Sequence, residues 1–513
     1  MRIRGTVVED KRGRELSAAV DLACQHLAGR ALLREEAVQL LSQHLPDSTN
    51  GLEVLQLAAL QGKVQLTTAV APAPQKPWRL LRRSKQRLHC RRCGSHEDKM
   101  RRTYCAACGN MCAYCEACLT LGRSRECELL VIGAPDHSQV GLPGPAATPD
   151  LIQRWGLSPA QSAAAGAALQ FISRPHAESA TPQNFLLWAV TGAGKTEMIF
   201  PLLDAVLSKG GRALVATPRR DVVLELAPRL AKAFPNRTMT TLYGGSKERW
   251  ESGDLTVATT HQLLRFQEAF DLVIIDELDA FPYHNDPMLQ FAANKCCKKF
   301  GSTLFLSATP PAAMQRAAAR GRLPCARVPV RFHQHPLPVP KRMAMPPATR
   351  WLSKRKLPSH VAKPITESIR RGAQIFLFVP YVRQVAPLVN LLRDCSPQLG
   401  IEPQHIDGTS SKDLQRADKV TFFRNRTIQL LVTTTILERG VTVPKSDVFV
   451  LDADNPLFDS ASLVQMAGRA GRSAEDPHGR VYFASNSLTI SQRGAIRQIR
   501  SMNRLARKQG YLL

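Results

Sequence analysis

A glycine-rich segment at residues 189–196 restricts the fold of this chain more than any other feature. It reads Ala-Val-Thr-Gly-Ala-Gly-Lys-Thr, begins within the apolar run 186–190, and precedes the helix-forming residues 197–200. Glycines between a strand and a helix let backbone N–H groups approach phosphate oxygens at the helix start. The segment therefore predicts a P-loop on a parallel α/β sheet. The predicted nucleotide-binding residues are Ala189, Thr191, Gly192, Ala193, Gly194, Lys195 and Thr196.

Two adjacent carboxylates, Asp276 and Glu277, follow the apolar run 272–275. In a P-loop ATPase, Mg²⁺ and the attacking water belong at the end of such a strand. We predict that Asp276 and Thr196 hold Mg²⁺, that Glu277 is the general base, and that Lys195 neutralises the β- and γ-phosphates of ATP. Acidic pairs are common on protein surfaces, so the preceding strand is what favours the catalytic interpretation.

Two arginines, Arg469 and Arg472, stand three residues apart in the segment 465–472 of the carboxy-terminal half. On a helical turn this spacing puts both guanidinium groups on one side. We predict that they act as arginine fingers, which stabilise the charge that builds on the γ-phosphoryl oxygens and link hydrolysis to closure of two lobes. Gln465 belongs to the same candidate catalytic segment.

Short apolar runs alternate with helical stretches twice along the chain, which predicts an α/β fold with two parallel-sheet lobes. The first set includes residues 213–216 and 272–275, and the second includes 375–379, 430–432 and 447–450. The predicted divisions are a helical extension of unassigned role (1–78), a cysteine-rich module (79–130), a linker near Gly141–Pro149, an ATP-binding lobe (150–335), a basic Pro-rich linker (336–360), a second lobe (361–485) and a basic carboxy-terminal helix (486–513).

The formal net charge of +27 predicts a polyanionic partner, because Lys and Arg displace the counterions of phosphates. Nucleic acid is the first expectation. No apolar run approaches the roughly 18 residues of a bilayer-spanning helix, so any membrane role is expected to be peripheral. The amino terminus lacks the pattern of a secretory signal, which predicts a cytoplasmic protein.

Seven of the thirteen cysteines fall between residues 90 and 118, which in a reducing compartment favours metal ligation over disulfides. Two Cys-x2-Cys pairs, 90/93 and 115/118, match the four thiolates that tetrahedral Zn²⁺ requires. Cys105, Cys108 and Cys112 add three thiols, and His96 is nearby, so the residues leave open both the ligand set and a second metal. The remaining six cysteines are predicted to be ordinary buried thiols.

Five arginines near the carboxy terminus recur at helical spacing, while Ile496, Ile499 and Met502 can occupy another face. The pattern predicts a basic amphipathic helix, whose arginines either form a solvated face or contact phosphates. These arginines are Arg493, Arg497, Arg500, Arg504 and Arg507.

The order of several segments resembles the superfamily 2 helicases: Gln161 before the P-loop, Ser307-Ala308-Thr309, and then 433–435 with 438–440. The resemblance implies that Gln161 reads adenine and that residues 307–309 link hydrolysis to strand movement. It also implies that Pro218-Arg219 and 259–261 contact backbone phosphates.

The longer strings 189–198, 258–264, 276–283 and 433–442 resemble the ComFA family of late competence ATPases, as does the Tyr-Cys-x2-Cys segment 114–118. This resemblance implies two RecA-like lobes, ATPase activity stimulated by single-stranded DNA, and a role in importing transforming DNA. It also implies the ComEC channel and ComFC as partners. The zinc ligands implied by the family pattern are Cys90, Cys93, Cys115 and Cys118.

Two other functions are compatible with parts of this sequence. A genome-maintenance helicase resembling PriA also joins zinc to a helicase core, but its cysteines lie between the motifs of the lobes, whereas here they precede the P-loop. An assembly scaffold, whose ATPase only gates the binding of partners, is the alternative from another functional class. ATP turnover with and without nucleic acids discriminates these hypotheses.

Overall fold

We describe the protein from a computed structural model, in which residues 11–73, 87–135, 148–174, 182–441 and 443–513 are described. Most of the predicted linker 141–149 and the basic residues 79–86 lie outside these ranges. Within them, no helix is both long and apolar enough to cross a membrane.

The amino-terminal unit combines three helices with short antiparallel sheets. Strand β7 pairs with both β1 and β2, while β3 pairs with β4 and β5 with β6. Its elements are α1 (Lys11–Leu27), β1 (Ala31–Leu33), α2 (Arg34–Leu41), α3 (Gly51–Leu60), β2 (Val64–Thr68), β3 (Val70–Pro72), β4 (Leu88–Cys90), β5 (Met100–Cys105), β6 (Asn110–Cys115) and β7 (Leu129–Gly133).

The first lobe is a seven-stranded parallel sheet with the order β10-β11-β9-β12-β13-β8-β14. The strands are almost continuously apolar because helices cover both faces. The elements are α4 (Thr148–Gln153), α5 (Pro159–Ile172), β8 (Gln183–Ala189), α6 (Lys195–Leu207), β9 (Ala213–Thr217), α7 (Arg220–Ala233), β10 (Met239–Leu242), β11 (Leu255–Thr259), β12 (Phe270–Ile275), α8 (Pro287–Cys296), β13 (Cys297–Ser307), α9 (Ala312–Ala319) and β14 (Cys325–Val328).

The second lobe is a six-stranded parallel sheet with the order β15-β20-β19-β16-β18-β17. The predicted α/β class with two parallel-sheet lobes is confirmed. The elements are β15 (Lys341–Ala344), α10 (Ala348–Lys354), α11 (Ser359–Arg370), β16 (Gln374–Phe378), α12 (Val385–Asp394), α13 (Ser396–Leu399), β17 (Ile406–Thr409), α14 (Arg416–Arg424), β18 (Leu430–Thr433), β19 (Ser446–Leu451), α15 (Ser460–Ala467), β20 (Val481–Ser485) and α16 (Ile490–Lys508).

The structure differs from the predicted divisions in two places. The described part of the predicted extension 1–78, residues 11–73, does not form a separate helical unit, because β1 and β2 make one sheet with β7 from beyond the cysteine module. The predicted linker 336–360 contains β15, which pairs with β20 at the edge of the second sheet, and α10. Prolines flank β15, and an edge strand tolerates them because one of its sides needs no backbone donors.

The amino-terminal unit is docked on the first lobe through buried polar contacts. Arg30 donates to the carbonyl oxygens of Trp250 and Glu251, both at 2.9 Å. Glu36 accepts from Arg92 at 2.7 Å and from Arg265 at 2.8 Å. The Trp250 side chain completes the apolar core of the amino-terminal unit. This unit is therefore anchored beside residues 260–265, which follow β11.

Candidate ATP site, inter-lobe hub and cysteine clusters

The P-loop joins the end of β8 to the start of α6, as predicted. Gly192 and Gly194 have φ angles of +80° and +72°, a region that side chains disfavour. A Cβ on Gly194 would lie 2.3 Å from Gln161 Nε2. Glycine is therefore required at Gly194 both by the backbone conformation and by the close approach of Gln161.

Gln161 lies buried beneath the P-loop. Its Nε2 donates to the carbonyl oxygen of Ala193 at 2.8 Å, while its Oε1 accepts from the backbone N–H of Ser158 at 2.8 Å. Both ends of the side-chain amide thus have partners within the first lobe. The geometry supports a role in positioning the P-loop backbone, and the contact with adenine stays a prediction.

Asp276 and Glu277 lie near the P-loop because β12 and β8 are both neighbours of β13 in a parallel sheet. The carboxyl ends of these strands therefore lie on the same side of the sheet. Burial raises the pKa of Asp276 to about 6, and the charge of Lys195 opposes this shift. Glu277 Oε2 is buried and has no hydrogen-bond partner among the described residues. Glu277 Oε2 has an ion pair with Arg439 Nη1 at 3.7 Å, and its lack of a hydrogen bond fits the orientation of a water. The hydroxyl and carboxylate oxygens of Thr196 and Asp276 fit Mg²⁺.

The opposite wall of the same cleft comes from the second lobe. The wall from the second lobe includes Gln465, Arg469 and Arg472. The wall from the first lobe, which it faces, includes Lys195, Thr196, Asp276 and Glu277. Arg469 Nε donates to the carbonyl oxygen of Glu438 at 2.9 Å. Burial lowers the pKa of Arg472 to about 10 and that of Arg469 well below its ordinary value, yet a guanidinium keeps its charge at neutral pH. The structure thus brings the predicted arginines and carboxylates to one cleft.

Five side chains form a polar cluster between the lobes, which we call the inter-lobe hub: Asp279, Ser307 and Thr309 from the first lobe and Arg439 and Gln465 from the second. Ser307 Oγ and Thr309 Oγ1 donate to the Asp279 carboxylate at 2.6 and 2.5 Å. Arg439 forms an ion pair with the same carboxylate, and Gln465 Nε2 donates to Thr309 Oγ1 at 3.2 Å. Burial alone would raise the pKa of Asp279, but Arg439 and the two hydroxyls hold it below its ordinary value.

Arg331 was missed by the sequence analysis. It is buried between the lobes, where Nη1 donates to the carbonyl oxygen of Ala470 at 2.7 Å and Nη2 to that of Gly468 at 3.3 Å. These carbonyls belong to the segment that carries Arg469 and Arg472. No sequence pattern marks Arg331, because it lies in an irregular stretch after β14 and its partners are more than a hundred residues away.

Gly468 allows the second lobe to touch the P-loop. Its backbone is helical, but an added Cβ would lie 2.0 Å from Thr191 Oγ1 and 2.7 Å from Thr191 Cβ. Thr191 is buried and its side chain is β-branched, so it has little freedom to move. The absence of a side chain at Gly468 therefore sets how closely the lobes approach.

We expect Gly468→Ala to lower kcat for ATP hydrolysis about tenfold, because relieving an overpacked contact costs roughly 1–3 kcal/mol. Steady-state ATP turnover measures this effect. The matched control is Gly244→Ala, since a Cβ on Gly244 meets no described atom within 4 Å. Equal kcat values for the two variants would contradict the proposed role of this contact.

The residues for which the resemblance implies contacts with nucleic-acid phosphates lie at the carboxyl ends of two neighbouring strands of the first sheet. Arg219 follows β9 and Thr260-His261 follow β11, which is the neighbouring parallel strand. Arg219 is paired with Asp221 at 2.6 Å, and Thr260 Oγ1 is buried without a hydrogen-bond partner in the described part of the chain. The structure brings these residues together, and their contact with nucleic acid stays a prediction.

The carboxy-terminal helix α16 is amphipathic as predicted, with Ala495, Ile499, Met502 and Ala506 buried. All five predicted arginines are exposed. Gln498 Nε2 donates to the carbonyl oxygen of Ala308 at 2.9 Å, so the helix contacts the segment between the two hub hydroxyls. A cleft of about 510 Å³ beside the helix is lined by basic and aromatic side chains, including Trp188, Arg327, Arg497, Arg504 and Lys508.

Four of the predicted metal ligands form a buried cluster, which we call the first cysteine cluster: Cys90, Cys93, Cys115 and Cys118. The Sγ atoms of Cys90 and Cys118 are 3.7 Å apart, and those of Cys93 and Cys115 are 3.5 Å apart. Four sulfurs bound about 2.3 Å from one tetrahedral Zn²⁺ would be about 3.8 Å apart, so the donor set fits this metal. Neither Cys105 nor His96 belongs to this cluster within the described residues.

A second cysteine cluster contains Cys105, Cys108, Cys112 and Cys127. The prediction that the six cysteines outside residues 90–118 are ordinary buried thiols is wrong for most of them. Cys127 is exposed and clustered, and Cys24, Cys325 and Cys395 are half-buried. The sequence does not indicate that Cys127 belongs to this cluster, because it is fifteen residues from Cys112. It reaches the cluster because the chain returns toward β7.

A P-loop and an acidic pair on one parallel α/β lobe, faced by arginines from a second lobe, define a superfamily 2 helicase-type ATPase. Family models agree: residues 160–317 match "DEAD/DEAH box helicase", 356–474 match "Helicase conserved C-terminal domain", and 18–132 match "Competence protein ComFA N-terminal domain".

The chain is 39% identical over 425 residues to competence protein ComFA of Bacillus subtilis, an alignment that covers 83% of this chain and 88% of the relative. It is 35% identical over 427 residues to ComFA of Streptococcus pneumoniae, covering 83% and 93%. A solved structure of RecG bound to a three-way DNA junction aligns with a TM-score of 0.48 and 18% identity, over 71% of this chain and 47% of RecG. The chain belongs to the ComFA family of competence proteins.

Proposed function

We propose that this protein is an ATP-driven translocase on single-stranded DNA that powers the import of transforming DNA. Membership of the ComFA family and the net charge of +27 support a nucleic-acid partner in this process. The inter-lobe hub is the observation that carries the proposal. It joins the acidic segment of the ATP cleft to Arg439 and Gln465 of the second lobe, which supports a link between nucleotide state and lobe arrangement.

In this proposal, bound ATP and Mg²⁺ supply the scissile phosphoanhydride and a divalent charge that polarises it. Thr196 and Asp276 would hold the cation, and Lys195 would neutralise the β- and γ-phosphates. Glu277 orients the attacking water and accepts its proton through Oε2, which has no hydrogen-bond partner among the described residues. Arg469 and Arg472 stabilise the charge that develops on the γ-phosphoryl oxygens.

The amino-terminal unit has a structural part in this mechanism. Zn²⁺ in the first cysteine cluster would leave no open coordination position for water, which supports a structural role. Arg92 stands between the ligands Cys90 and Cys93 in the sequence. Its backbone carbonyl oxygen accepts a hydrogen bond from Lys295 Nζ of the first lobe at 2.9 Å. The unit is thereby held beside the segment after β11, where phosphate contacts are proposed. The family resemblance supports ComFC and the ComEC channel as partners, with membrane association through them.

ATP turnover of the full chain without nucleic acid and with single-stranded DNA, duplex DNA or RNA tests this function. We expect single-stranded DNA to stimulate hydrolysis most strongly, because a translocating motor grips one backbone and stacks on bases without reading them. ATP-dependent displacement of streptavidin from the end of a biotinylated strand measures movement. Equal turnover under all four conditions, or hydrolysis without displacement, would overturn the proposal and favour the assembly scaffold.

A further inference from the structure

We propose that the second cysteine cluster, Cys105, Cys108, Cys112 and Cys127, is a second tetrahedral zinc site, separate from the first cluster. This site would take a soft divalent cation with four thiolate ligands. The inference rests on the geometry of the amino-terminal unit and is independent of the motor function.

The sulfur positions match those of the first cluster. The four Sγ atoms all lie within 4.8 Å of one another. Cys127 Sγ is 3.7 Å from Cys105 Sγ and 3.6 Å from Cys112 Sγ. Both distances agree with the spacing of about 3.8 Å that four sulfurs adopt around one Zn²⁺.

The same ligand-bearing turn occurs in both clusters. Residues 90–94 and 105–109 each read Cys-x2-Cys-Gly. In the first turn the N–H of Gly94 donates to the carbonyl oxygen of Cys90 at 2.8 Å, and in the second the N–H of Gly109 donates to that of Cys105, also at 2.8 Å. The two glycines have similar left-handed φ angles of +74° and +67°. The second turn therefore presents its two sulfurs in the same way as the first.

Strand β6 contributes one thiol to each cluster. Cys112 and Cys115 are three positions apart on this strand, so their side chains point to opposite faces. The two clusters consequently lie on opposite sides of β6 and do not compete for ligands. The alternative ligand sets that the sequence left open are thus resolved into two complete sets of four cysteines.

The tip of the hairpin of β5 and β6 gains little support from apolar contacts. Two of its large apolar side chains, Tyr104 and Met111, are 71% and 61% exposed. A two-stranded hairpin alone is marginally stable in water. Cys127 precedes β7 by two residues, so a shared metal would tie the tip of the hairpin to the strand that pairs with β1 and β2. Arg125 Nη1 lies 3.5 Å from Cys105 Sγ and offsets the negative charge of the thiolates.

Zinc content per chain tests the proposal directly. The full-length protein, purified with reductant and zinc and then freed of loosely bound metal, is expected to contain two zinc ions per chain by elemental analysis. The variant Cys108→Ser/Cys127→Ser should contain one, because these are the two most exposed ligands and their loss leaves the buried first cluster in place. The control Cys24→Ser/Cys395→Ser replaces half-buried thiols outside both clusters and should retain two.

Cadmium NMR on the exchanged protein supplies a second readout. Two signals in the four-thiolate range are expected for the unaltered protein and one for Cys108→Ser/Cys127→Ser, with far-UV circular dichroism unchanged. A single zinc that this variant fully retains would overturn the proposal. A disulfide between Cys127 and either Cys105 or Cys112 in the reduced, zinc-loaded protein, found by mass spectrometry, would also overturn it.

Discussion

Glu277→Gln is expected to lower kcat for ATP hydrolysis by about 10²- to 10⁴-fold while leaving ATP binding intact, because the amide keeps the shape of the side chain but cannot accept the proton of water. Lys195→Ala is expected to lose both hydrolysis and binding, because the charge facing the β- and γ-phosphates is removed. Steady-state turnover and titration with a fluorescent ATP analogue separate the two effects.

The matched controls for the variants Glu277→Gln and Lys195→Ala are Glu53→Gln on the exposed face of α3 and Lys232→Ala near the end of α7. Both replace the same residue types on the surface, so turnover and ATP binding should stay unchanged. Undiminished hydrolysis in both Glu277→Gln and Lys195→Ala would place ATP chemistry outside this cleft.

Asp279→Asn is expected to abolish the stimulation of ATPase activity by single-stranded DNA, while much of the hydrolysis without DNA remains. The carboxylate is 4% exposed and Arg439 is 5% exposed, so losing the Asp279 charge leaves Arg439 buried with only its longer ion pairs to Glu277 and Glu438, at 3.7 and 3.6 Å. Breaking a buried pair in this way costs about 3–5 kcal/mol, which is enough to disfavour the arrangement in which the lobes meet. The ratio of stimulated to basal turnover is the measurement.

A double-mutant cycle with Arg439→Ala distinguishes coupling from general damage. Because Asp279 and Arg439 contact each other, the effects of the two single variants should not add in the double variant. The control is Glu367→Gln, which breaks an exposed pair with Arg480 at 2.9 Å in the second lobe and should change the ratio little. Additive effects, or stimulation that persists in Asp279→Asn, would contradict the role assigned to the hub.

Local patterns were sufficient to predict the ATP cleft. The P-loop, Asp276 with Glu277, and Arg469 with Arg472 each lie within a short stretch of the sequence, and their chemistry depends on neighbours within a few residues. The helical face of α16 was predictable for the same reason, since periodicity is a local property. The first cysteine cluster was also predictable, because each Cys-x2-Cys pair presents two ligands on one turn.

Contacts between distant segments could not be predicted in this way. Gly468 is constrained by Thr191 of the other lobe, and Arg331 by carbonyls of the segment 468–471. Asp279 is part of the acidic string, but its partners come from two distant segments, Ser307 and Thr309 at the end of β13 and Arg439 in the second lobe. The sequence predicts only a buried thiol at Cys127, because this residue has no cysteine neighbour in the sequence.

The order of the short patterns along the chain was enough to establish the chemistry of this protein, namely an ATPase with two α/β lobes and a thiolate-rich amino-terminal unit. The tertiary structure alone decided that β1 and β2 share a sheet with β7, that the lobes meet at the hub, and that eight of the cysteines form two sets of four. The physical reason is that strand pairing and side-chain burial bring residues together across large separations. A local pattern carries the chemistry of each group but not the identity of its distant partner.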